Sequence, residues 1–575
     1  MSVVASGGPA WPYDARLWQS STRAVGVIAS PAAIRLPNGR EGIVLAVWGN
    51  AAEAAAVVPP MRLVIFEQGP DGLMREATAS YIDNDMTDGS GVIKVADFNG
   101  DGSDDFVLPM YTETPTTVAP PVPMPRSVAF VSRPDGRYAR IDMNSDLNGP
   151  VVDAVKVAGQ WQLFVPGGGP SFESGAFSWA GTFTWRWNGA GFTKVLMGGQ
   201  GDPDQQARAS ASIVRPFTGN GDLWMVRTDN DAGPGIPNGF DKVTRAWRID
   251  ANNRYQVPPV TLPAPYFNGK PEYAQYESWL DPASKTHNAT IWSTDLNQDG
   301  LPDIVAGAQL WGRSQLLQRA TLQLLVNQGG MNFVDQTDTL KPEFRIDGEI
   351  DVSPRFADLD GSGIDTILMG QGRWLGFGAA VLARSRHGSY ILVNDGTGRL
   401  YAAMGAEFTV LGQQALDFVN GQTGLFAGER TQASFIAYRR PDGKVNFLAQ
   451  VLALRRGTLD PGSQMFAFVN MPLGIDITTG FKRDLNLPTR NGSRNIRTFA
   501  GNDTIGRALT DPDCRIDGGL GTNTVAYPGR RADWVIAKKG ATITVTPAAG
   551  GGGTDTLTRV QRARFDDQTV DLTTL

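Results

Sequence analysis

The chain has 575 residues, more than one hydrophobic core usually supports, so internal repeats or several domains are expected. Its net charge of −6 gives no electrostatic case for a nucleic-acid partner, and no apolar run reaches the roughly 18 residues of a membrane-spanning helix. A single cysteine, Cys514, excludes an intrachain disulfide. The 68 glycines and 37 prolines are spread along the chain, which favours a β-rich protein with many turns.

One short motif recurs along the chain. Its clearest copies are VADFNGDGSDDFVLPM at 95–110, STDLNQDGLPDIVAG at 293–307 and FADLDGSGIDTILMG at 356–370, and weaker copies fill the gaps. Seven anchors align with the first Asp of the motif: Leu36, Asp97, Asp153, Pro216, Asp295, Asp358 and Asp417. Their spacing, 56 to 79 residues, indicates a large repeated unit.

A second pattern falls between the anchors and also occurs seven times. Each copy reads as strand, tight turn, strand, as in SVAFVSRPDGRYARI and in the last copy, SFIAYRRPDGKVNFLA. With one strand before each anchor and one after it, every unit has four strands. We therefore predict an all-β protein built on a seven-bladed β-propeller, because four-stranded sheets bury both faces when they pack radially.

Two anchors open loops that are rich in oxygen side chains. In DFNGDGSDD and DLNQDGLPD, positions 1, 3, 5 and 9 carry side-chain oxygens, position 7 offers a carbonyl and Gly at position 6 allows a sharp turn. Alternating oxygen ligands of this kind suit Ca²⁺ in a shortened EF-hand-like loop. We therefore predict two calcium sites, with the ligands Asp97, Asn99, Asp101, Ser103 and Asp105 in one and Asp295, Asn297, Asp299, Leu301 and Asp303 in the other.

The loop DLDGSGID is a weaker version of the same motif. Asp358 and Asp360 fit, but Ser362 replaces the central acid and Asp365 comes one position early. A third calcium ion, held by Asp358, Asp360 and Ser362, is therefore left open. The alternative for all of these loops is that Asp, Asn and Gly serve only to form turns.

In these loops the chain resembles the FG-GAP/VCBS repeat family, over roughly residues 24–456. Propellers of that family include the head of integrin α subunits and many secreted bacterial proteins. The resemblance implies structural calcium and, frequently, adhesion or carbohydrate binding. Some members are enzymes or enzyme appendages, so the fold does not determine the function.

The character of the sequence changes after about residue 480. TFAGNDTIG at 498–506, IDGGLGTNTVAYPGR at 516–530 and GGTDTLTRVQRARFDDQTVDL at 552–572 resemble the C-terminal end of repeats-in-toxin proteins. That resemblance implies type I secretion through an uncleaved C-terminal signal. Asn523 replaces the acid of the nonapeptide repeat, and Asp503 lies 20 residues away, near two turns, so we expect a degenerate β-roll with at most one calcium ion. The alternative is a small β-domain that caps the propeller.

These patterns divide the chain into four parts. We expect an N-terminal extension over 1–23, the propeller over 24–456, a linker or closing segment over 457–495 and the C-terminal β-domain over 496–575.

Catalytic motifs are not evident. The two histidines, His287 and His387, lie in different units and in no recognisable motif, and HExxH, P-loop and nucleotide-binding glycine patterns are absent from the sequence. Carboxylate-pair chemistry stays open, because spatial pairing is invisible in a sequence. The sequence thus favours a binding protein over an enzyme without deciding between them.

The long loops between strands 2 and 3, and between strands 4 and 1, should emerge on the face opposite the calcium loops. They carry aromatic residues beside Asn, Asp and Gln, which suits a glycan or protein partner, although such residues also serve as local core. Our candidate ligand-binding residues are Trp179, Tyr276, Trp279 and Trp311.

We therefore expect a secreted or cell-surface calcium-binding propeller that recognises glycan or a surface protein, as an adhesin, lectin or surface-layer component. Self-association is a further option. The alternatives are a secreted polysaccharide hydrolase or lyase, and a purely structural protein that self-assembles outside the cell.

Overall fold

The structure is a computed structural model. It describes residues 2–3, 17–19, 29–48, 60–88, 93–109, 127–143, 153–157, 159–165, 170–171, 178–179, 183–196, 213–219, 222–228, 244–250, 252, 254–256, 258–267, 270, 286–310, 319–340, 346–347, 354–369, 390–404, 411–415, 417–418, 431–454, 464–487, 492–540 and 542–575.

Seven four-stranded antiparallel arrays, the blades, form the main body. Two short strands precede them, β1 (Ser2–Val3) and β2 (Leu17–Gln19). Blade 1 contains β3 (Ala29–Arg35), β4 (Glu41–Trp48), β5 (Pro60–Gln68) and β6 (Met74–Glu76), followed by α1 (Thr78–Tyr81) and β7 (Met86–Asp88), which pairs with β5. Blade 2 contains β8 (Lys94–Ala96), β9 (Asp105–Leu108), β10 (Val128–Ser132) and β11 (Tyr138–Asp142).

Blades 3 and 4 follow the same order. Blade 3 contains β12 (Asp153–Val157), β13 (Gln160–Val165), a small inserted hairpin of β14 (Pro170–Ser171) and β15 (Ser178–Trp179), then β16 (Phe183–Trp187) and β17 (Phe192–Leu196). Blade 4 contains β18 (Ile213–Gly219), β19 (Asp222–Thr228), β20 (Arg245–Ile249) and β21 (Val260–Thr261).

Blades 5 and 6 repeat the pattern. Blade 5 contains β22 (Thr286–Thr294), β23 (Asp303–Leu310), β24 (Arg319–Asn327) and β25 (Phe333–Asp335), followed by α2 (Thr337–Leu340) and β26 (Ile346–Asp347), which pairs with β24. Blade 6 contains β27 (Pro354–Ala357), β28 (Thr366–Met369), β29 (Tyr390–Asn394) and β30 (Leu400–Met404).

Blade 7 closes the ring with strands from both ends of the propeller. It contains β31 (Thr431–Arg439), β32 (Val445–Leu454) and β33 (Gln464–Ile475), and its fourth strand is the N-terminal β2, which pairs Trp18 with Phe468. The sheet therefore includes strands from both flanks of the predicted propeller range 24–456. Pairing the first strand with the last joins the two ends of the ring by backbone hydrogen bonds.

Hydrophobic clusters lie between successive blades around the whole ring. One joins blade 1 to blade 2 through Ile65 and Phe106, and another joins blade 7 to blade 1 through Tyr438 and Phe66. Equivalent clusters join blades 2 and 3, 3 and 4, 4 and 5, 5 and 6, and 6 and 7. The predicted all-β, seven-bladed propeller is confirmed.

Three anchors lie elsewhere than predicted. Asp417 lies in a helical segment over 411–415 and 417–418, and SFIAYRRPDGKVNFLA, predicted as the outer hairpin of blade 7, forms its first two strands. The outer strand comes from the N-terminus, so the C-terminal part of the blade needs three strands instead of four. Asp153 and Pro216 lie within β12 and β18, because only two residues separate the first two strands of blades 3 and 4.

The C-terminal domain is a coil of two largely parallel sheets. Its strands are β34 (Phe481–Lys482), β35 (Asn486–Leu487), β36 (Asn495–Arg497), β37 (Thr504–Gly506), β38 (Cys514–Asp517), β39 (Thr524–Ala526), β40 (Trp534–Lys539), β41 (Thr542–Pro547), β42 (Asp555–Thr558), β43 (Arg562–Arg564) and β44 (Thr569–Asp571), with 3₁₀ turns at Arg531–Asp533 and Leu572–Thr574.

Parallel pairing defines the turn length of this coil. Thr504 pairs with Thr524 and Asn495 with Arg515, so 20 residues make one turn, not the nearly two predicted for Asp503 and Asn523. A turn supplies one strand to each sheet, which doubles the length expected from a nonapeptide. The predicted small C-terminal β-domain is confirmed. No helix in the described parts of the chain is long and apolar enough to cross a membrane.

Candidate functional site

Three loops join the first two strands of their blades with matching geometry. We call them the blade-2 bend (residues 97–105), the blade-5 bend (295–303) and the blade-6 bend (358–366), and we number their positions 1 to 9. The sixth position has a positive φ in all three, at Gly102 (87°), Gly300 (88°) and Gly363 (82°). Glycine adopts this conformation without steric cost, so the three bends share one backbone turn, as the motif predicted.

The acid at the first position accepts a hydrogen bond from the glycine amide at the sixth position in each bend. The amide of Gly102 donates to Asp97 Oδ2 at 3.0 Å and that of Asp101 donates to Asp97 Oδ1 at 3.1 Å. Asp295 receives the two equivalent bonds at 3.0 and 3.1 Å. Asp358 receives the first of them, at 2.9 Å. The acid at position 1 therefore organises the loop backbone.

The third and fifth positions contact each other. Asn99 Nδ2 donates to Asp101 Oδ2 at 3.1 Å, and the amide of Ser103 donates to Asp101 Oδ1 at 2.8 Å. The equivalent bonds to Asp299 in the blade-5 bend measure 2.9 and 2.8 Å. The two bends thus share these bonds, although 198 residues of sequence separate Asp101 from Asp299.

The ninth position is a fully buried acid, with 0% exposure for both Asp105 and Asp303. The amide of Phe98 donates to Asp105 Oδ2 at 2.8 Å, and the amide of Ser132, at the end of the third strand, donates to Oδ1 at 2.7 Å. Asp303 receives the equivalent two bonds, both at 2.8 Å, from Leu296 and Asn327. This acid connects its bend to the third strand of the blade.

Burial changes the titration of these acids. It raises the pKa of Asp105 to about 6, against the opposing effect of hydrogen bonds from Ser132. It also raises the pKa of Asp303 to about 7, and the negative charges of Asp299 and Asp295 act in the same direction. The three carboxylates of the blade-5 bend therefore interact with one another.

The donor set of these two bends suits a hard cation. In the part of the chain that the structure describes, no Lys or Arg forms an ion pair with the acids at positions 1, 5 and 9. Ser132 Oγ lies 2.7 Å from Asp101 Oδ2 and 2.8 Å from Asp105 Oδ1. A hydroxyl has one proton, so it can donate to only one of these carboxylates. A cation between the two carboxylates would relieve their repulsion.

In the conformation that the structure shows, the described residues do not form a complete metal site. No group of three Asp, Glu, His or Cys side chains among them is arranged to hold an ion. The carboxylate oxygens of the bends accept hydrogen bonds from the loop backbone instead. The predicted ligand residues and the two calcium ions stay predictions.

The blade-6 bend has the same turn with different side chains. Ser362 and Thr366 occupy positions 5 and 9, where the other two bends have acids. Asp365 occupies position 8 and accepts a 2.6 Å hydrogen bond from Thr294 Oγ1 in blade 5. Its counterpart in the blade-2 bend, Asp104, accepts a 2.6 Å bond from the amide of Arg35 in blade 1. The acid that comes one position early therefore joins neighbouring blades.

A buried guanidinium lies in the blade-6 bend. It belongs to Arg497 of the C-terminal domain, which is 1% exposed, and its Nη1 lies 2.5 Å from Asp360 Oδ2. Burial raises the pKa of Asp360, but the positive charge of Arg497 and hydrogen bonds from Ser362 and Thr478 outweigh that effect and lower it to about 2. Sequence reasoning missed Arg497, and the available signal was the loss of acids at Ser362 and Thr366.

The predicted ligand-binding aromatic residues are only partly visible. The backbone of Trp179 pairs with Pro170 in the hairpin inserted between β13 and β16. Tyr276, Trp279 and Trp311 lie outside the described residues, as does His387, and the backbone of His287 lies in β22. The structure does not bring these candidates together in its described part.

Two aromatic residues at the base of the long loop 263–288 are described. Phe267 is 4% exposed and packs against Ala308. The Tyr266 hydroxyl donates to Asp338 at 2.5 Å, and Lys270 Nζ lies 3.4 Å from the centre of the Tyr266 ring. These two aromatic residues therefore pack locally against their own blade. This is the alternative role, local core, that the sequence offered for the aromatic residues of the long loops.

No family model and no curated protein matches this chain, so its resemblances to FG-GAP/VCBS and repeats-in-toxin proteins stay predictions. Among solved structures, a protein of unknown function from Dyadobacter fermentans is similar at 11% identity and a TM-score of 0.35, over 80% of this chain and 99% of the other. The family-43 glycoside hydrolase BlXynB from Bacillus licheniformis is similar at 11% identity and 0.28, over 79% and 82%. The parainfluenza virus 5 hemagglutinin-neuraminidase ectodomain is similar at 9% identity and 0.31, over 80% and 84%. TM-scores this low carry no argument about function.

Proposed function

We propose that this protein is an extracellular binding protein whose seven-bladed propeller is stabilised by two calcium ions. The observation that supports this most is the set of hydrogen bonds that the acids of the blade-2 and blade-5 bends share. In each bend, positions 1, 5 and 9 carry carboxylates and position 3 an amide oxygen, and no Lys or Arg in the described part of the chain forms an ion pair with these carboxylates. Turn formation alone does not require three interacting acids, because it needs only the first of them and the glycine.

In this proposal the ions are held by the predicted side chains at positions 1, 3, 5 and 9 and by the carbonyl at position 7. The ion would supply positive charge that offsets repulsion among acids such as Asp295, Asp299 and Asp303. The turn already closes by hydrogen bonds, so the ion would strengthen an existing structure. Bends of this kind suit the millimolar calcium found outside cells.

The partner in this proposal is a glycan or a surface protein. The C-terminal domain contacts the propeller at the bends, as in the bond from the Arg494 amide to the Gln298 carbonyl, 2.8 Å. The loops between strands 2 and 3 leave their blades from the opposite strand ends, and the hairpin that carries Trp179 is one of them. That face is therefore the one we propose for binding, and type I secretion is the proposed export route.

Counting bound ions tests the calcium part of the proposal. Native mass spectrometry in millimolar calcium should give two ions for the wild type and one for Asp101→Ala or Asp299→Ala. The matched control is Asp442→Ala, which changes an acid in the turn between the first two strands of blade 7 and should leave two ions. Wild-type counts in both ligand variants would refute the ligand assignment.

Glycan and surface-protein arrays test the binding part. The proposal expects retained binding without product release, and weaker binding for Trp179→Ala and Trp279→Ala with an unchanged melting temperature. Glycan cleavage that one carboxylate substitution abolishes would establish the hydrolase alternative instead. Export is tested by comparing secretion of the full chain by cells with and without a type I exporter.

A further inference from the structure

The Arg497 guanidinium meets the blade-6 bend at the positions predicted to bind calcium in the other two bends. Nη1 lies 2.5 Å from Asp360 Oδ2 at position 3 and 3.2 Å from Ser362 Oγ at position 5. Nη2 lies 3.4 Å from the carbonyl of Ile364 at position 7 and 3.3 Å from Thr366 Oγ1 at position 9. Positions 3, 5, 7 and 9 of the bend therefore each place an oxygen atom beside one cation, the guanidinium of Arg497.

We propose that Arg497 takes the place of calcium in the blade-6 bend, so that the C-terminal domain supplies the third cation of the propeller. The group implied by the motif, a third calcium ion, does not fit this bend, because the guanidinium contacts the oxygens that would bind it. The inference relies on the proposed calcium sites only for the comparison between bends.

The charges of the three bends support the exchange. Positions 1, 5 and 9 carry three carboxylates in the blade-2 and blade-5 bends, and a divalent ion would leave one net negative charge. At the ligand positions 1, 3, 5, 7 and 9 the blade-6 bend has two carboxylates, Asp358 and Asp360, and one guanidinium also leaves one net negative charge. Ser362 and Thr366 are thus the substitutions expected when a monovalent cation replaces a divalent one.

The bond network around Arg497 holds the guanidinium in place. Its Nε donates to the Asn394 carbonyl and its amide to the Asp395 carbonyl, both at 3.0 Å. Asn394 ends the third strand of blade 6, as Ser132 and Asn327 end the third strands of blades 2 and 5. Nearby, Asn495 Nδ2 donates to the Ser362 carbonyl. The arginine therefore fixes the C-terminal domain to the bend and to the third strand at once.

The shared core extends this attachment. One hydrophobic cluster continues from Tyr401 of blade 6 and Phe447 of blade 7 to Phe499 and Ile516 of the C-terminal domain. We call residues 476–494 the join. Removing the buried charge of Arg497 should loosen the join without exposing the rest of the propeller, so a protease should cut the join faster.

The test compares Arg497→Met with Arg515→Met, an equal loss of charge at an exposed position one coil turn away. Proteolysis at the join should rise roughly 100- to 1,000-fold for Arg497→Met, the fold-change expected when a buried ion pair is broken. It should rise less for Arg497→Lys, which keeps the charge, and not at all for Arg515→Met. Circular dichroism identifies any variant that fails to fold, and cleavage of folded Arg497→Met at the wild-type rate would overturn the proposal.

Ion counting gives an independent arm. The combination Arg497→Met, Ser362→Asp and Thr366→Asp should bind one ion more than the wild type and regain protease resistance in millimolar calcium. A wild-type ion that Asp358→Ala removes would overturn the proposal, because the bend would then hold calcium beside Arg497. If the wild type binds no ion at all, the proposed calcium function fails, and the proteolysis comparison still decides the role of Arg497.

Discussion

The blade-2 and blade-5 bends differ from the blade-6 bend in side chains but not in backbone. All three turn at a glycine of positive φ and close on the acid at position 1. In the first two bends no described Lys or Arg forms an ion pair with the acids, whereas the third bend gathers hydroxyls and an arginine from another domain. The same backbone turn therefore accommodates acids at positions 5 and 9 in two bends, and hydroxyls that contact an arginine in the third.

The C-terminal domain extends this comparison. Where the nonapeptide repeat has an acid, Asn523 is fully buried, and its Nδ2 donates to the carbonyls of Gly518 at 2.5 Å and Arg559 at 3.1 Å. Its Oδ1 accepts from the Asp503 amide at 3.1 Å. The amide thus joins adjacent turns of the coil through donors of the chain itself. Arg497 and Asn523 are two places where an N–H donor stands where the motif suggests a cation.

The largest effect should come from the ninth position. Asp303→Ala leaves the buried amides of Leu296 and Asn327 without an acceptor and should lower the free energy of unfolding by about 3 kcal/mol. Thr366→Ala, at the same position of the blade-6 bend, should cost about 1 kcal/mol, because the Arg497 contact at 3.3 Å is one of several. Urea unfolding of both variants measures the difference, and equal costs would mean that the ninth position has the same role in both kinds of bend.

The next largest effect should be the pH dependence of stabilisation by calcium. Burial raises the folded-state pKa to about 6 for Asp105 and about 7 for Asp303. Without calcium, the stability that these two acids contribute is therefore fully present below the unfolded pKa and is lost as pH rises through 6 to 7. Calcium should restore it, so saturating calcium should raise the melting temperature by roughly 5 °C at pH 8 and by much less at pH 5.

The blade-6 bend should behave in the opposite way. The pKa of Asp360 is lowered to about 2, so its contribution is present above the unfolded value and is lost only as pH falls through about 2. The Asp360–Arg497 ion pair should therefore strengthen the join equally at pH 8 and pH 5, so Arg497→Met should raise protease cleavage there by the same factor at both pH values. Calcium stabilisation that is the same at both pH values would contradict the assignment of the buried acids as ligands.

The smallest effect should separate the two calcium bends from each other. Ser493 Oγ donates to the Asn297 carbonyl at 2.9 Å, and the Arg494 amide donates to the Gln298 carbonyl, so the C-terminal domain contacts the blade-5 bend. Asp299→Ala should therefore increase cleavage at the join a few-fold, whereas Asp101→Ala should not. Equal cleavage rates in the two variants would show that a change in the blade-5 bend does not weaken the attachment of the C-terminal domain.

Much of the propeller could be predicted from local sequence. The bends recur because Asp at position 1 and Gly at position 6 determine a turn within six residues, and each tight hairpin is equally local. Blade 7 was assigned wrongly because its outer strand, Leu17–Gln19, is far away in sequence, and Asp417 resembled an anchor by chance. Pairing of distant strands leaves no local signal.

The site was predictable to a similar extent. The spacing predicted which acids lie in the two matching bends, and Asp97 and Asp295 close their turns by backbone hydrogen bonds, but the role of these acids as calcium ligands stays a prediction. The loss of acids at Ser362 and Thr366 sets the blade-6 bend apart, but it does not identify Arg497, which 137 residues separate from Asp360. The aromatic candidates Tyr276, Trp279 and Trp311 stay predictions, because they lie outside the described residues.

Crystals grown in millimolar calcium would locate the ions by anomalous diffraction at a wavelength sensitive to calcium. We expect one peak in the blade-2 bend, one in the blade-5 bend and none in the blade-6 bend, where the Arg497 guanidinium should appear instead. A peak between Asp358 and Asp360, or an empty bend at either Asp101 or Asp299, would contradict this expectation.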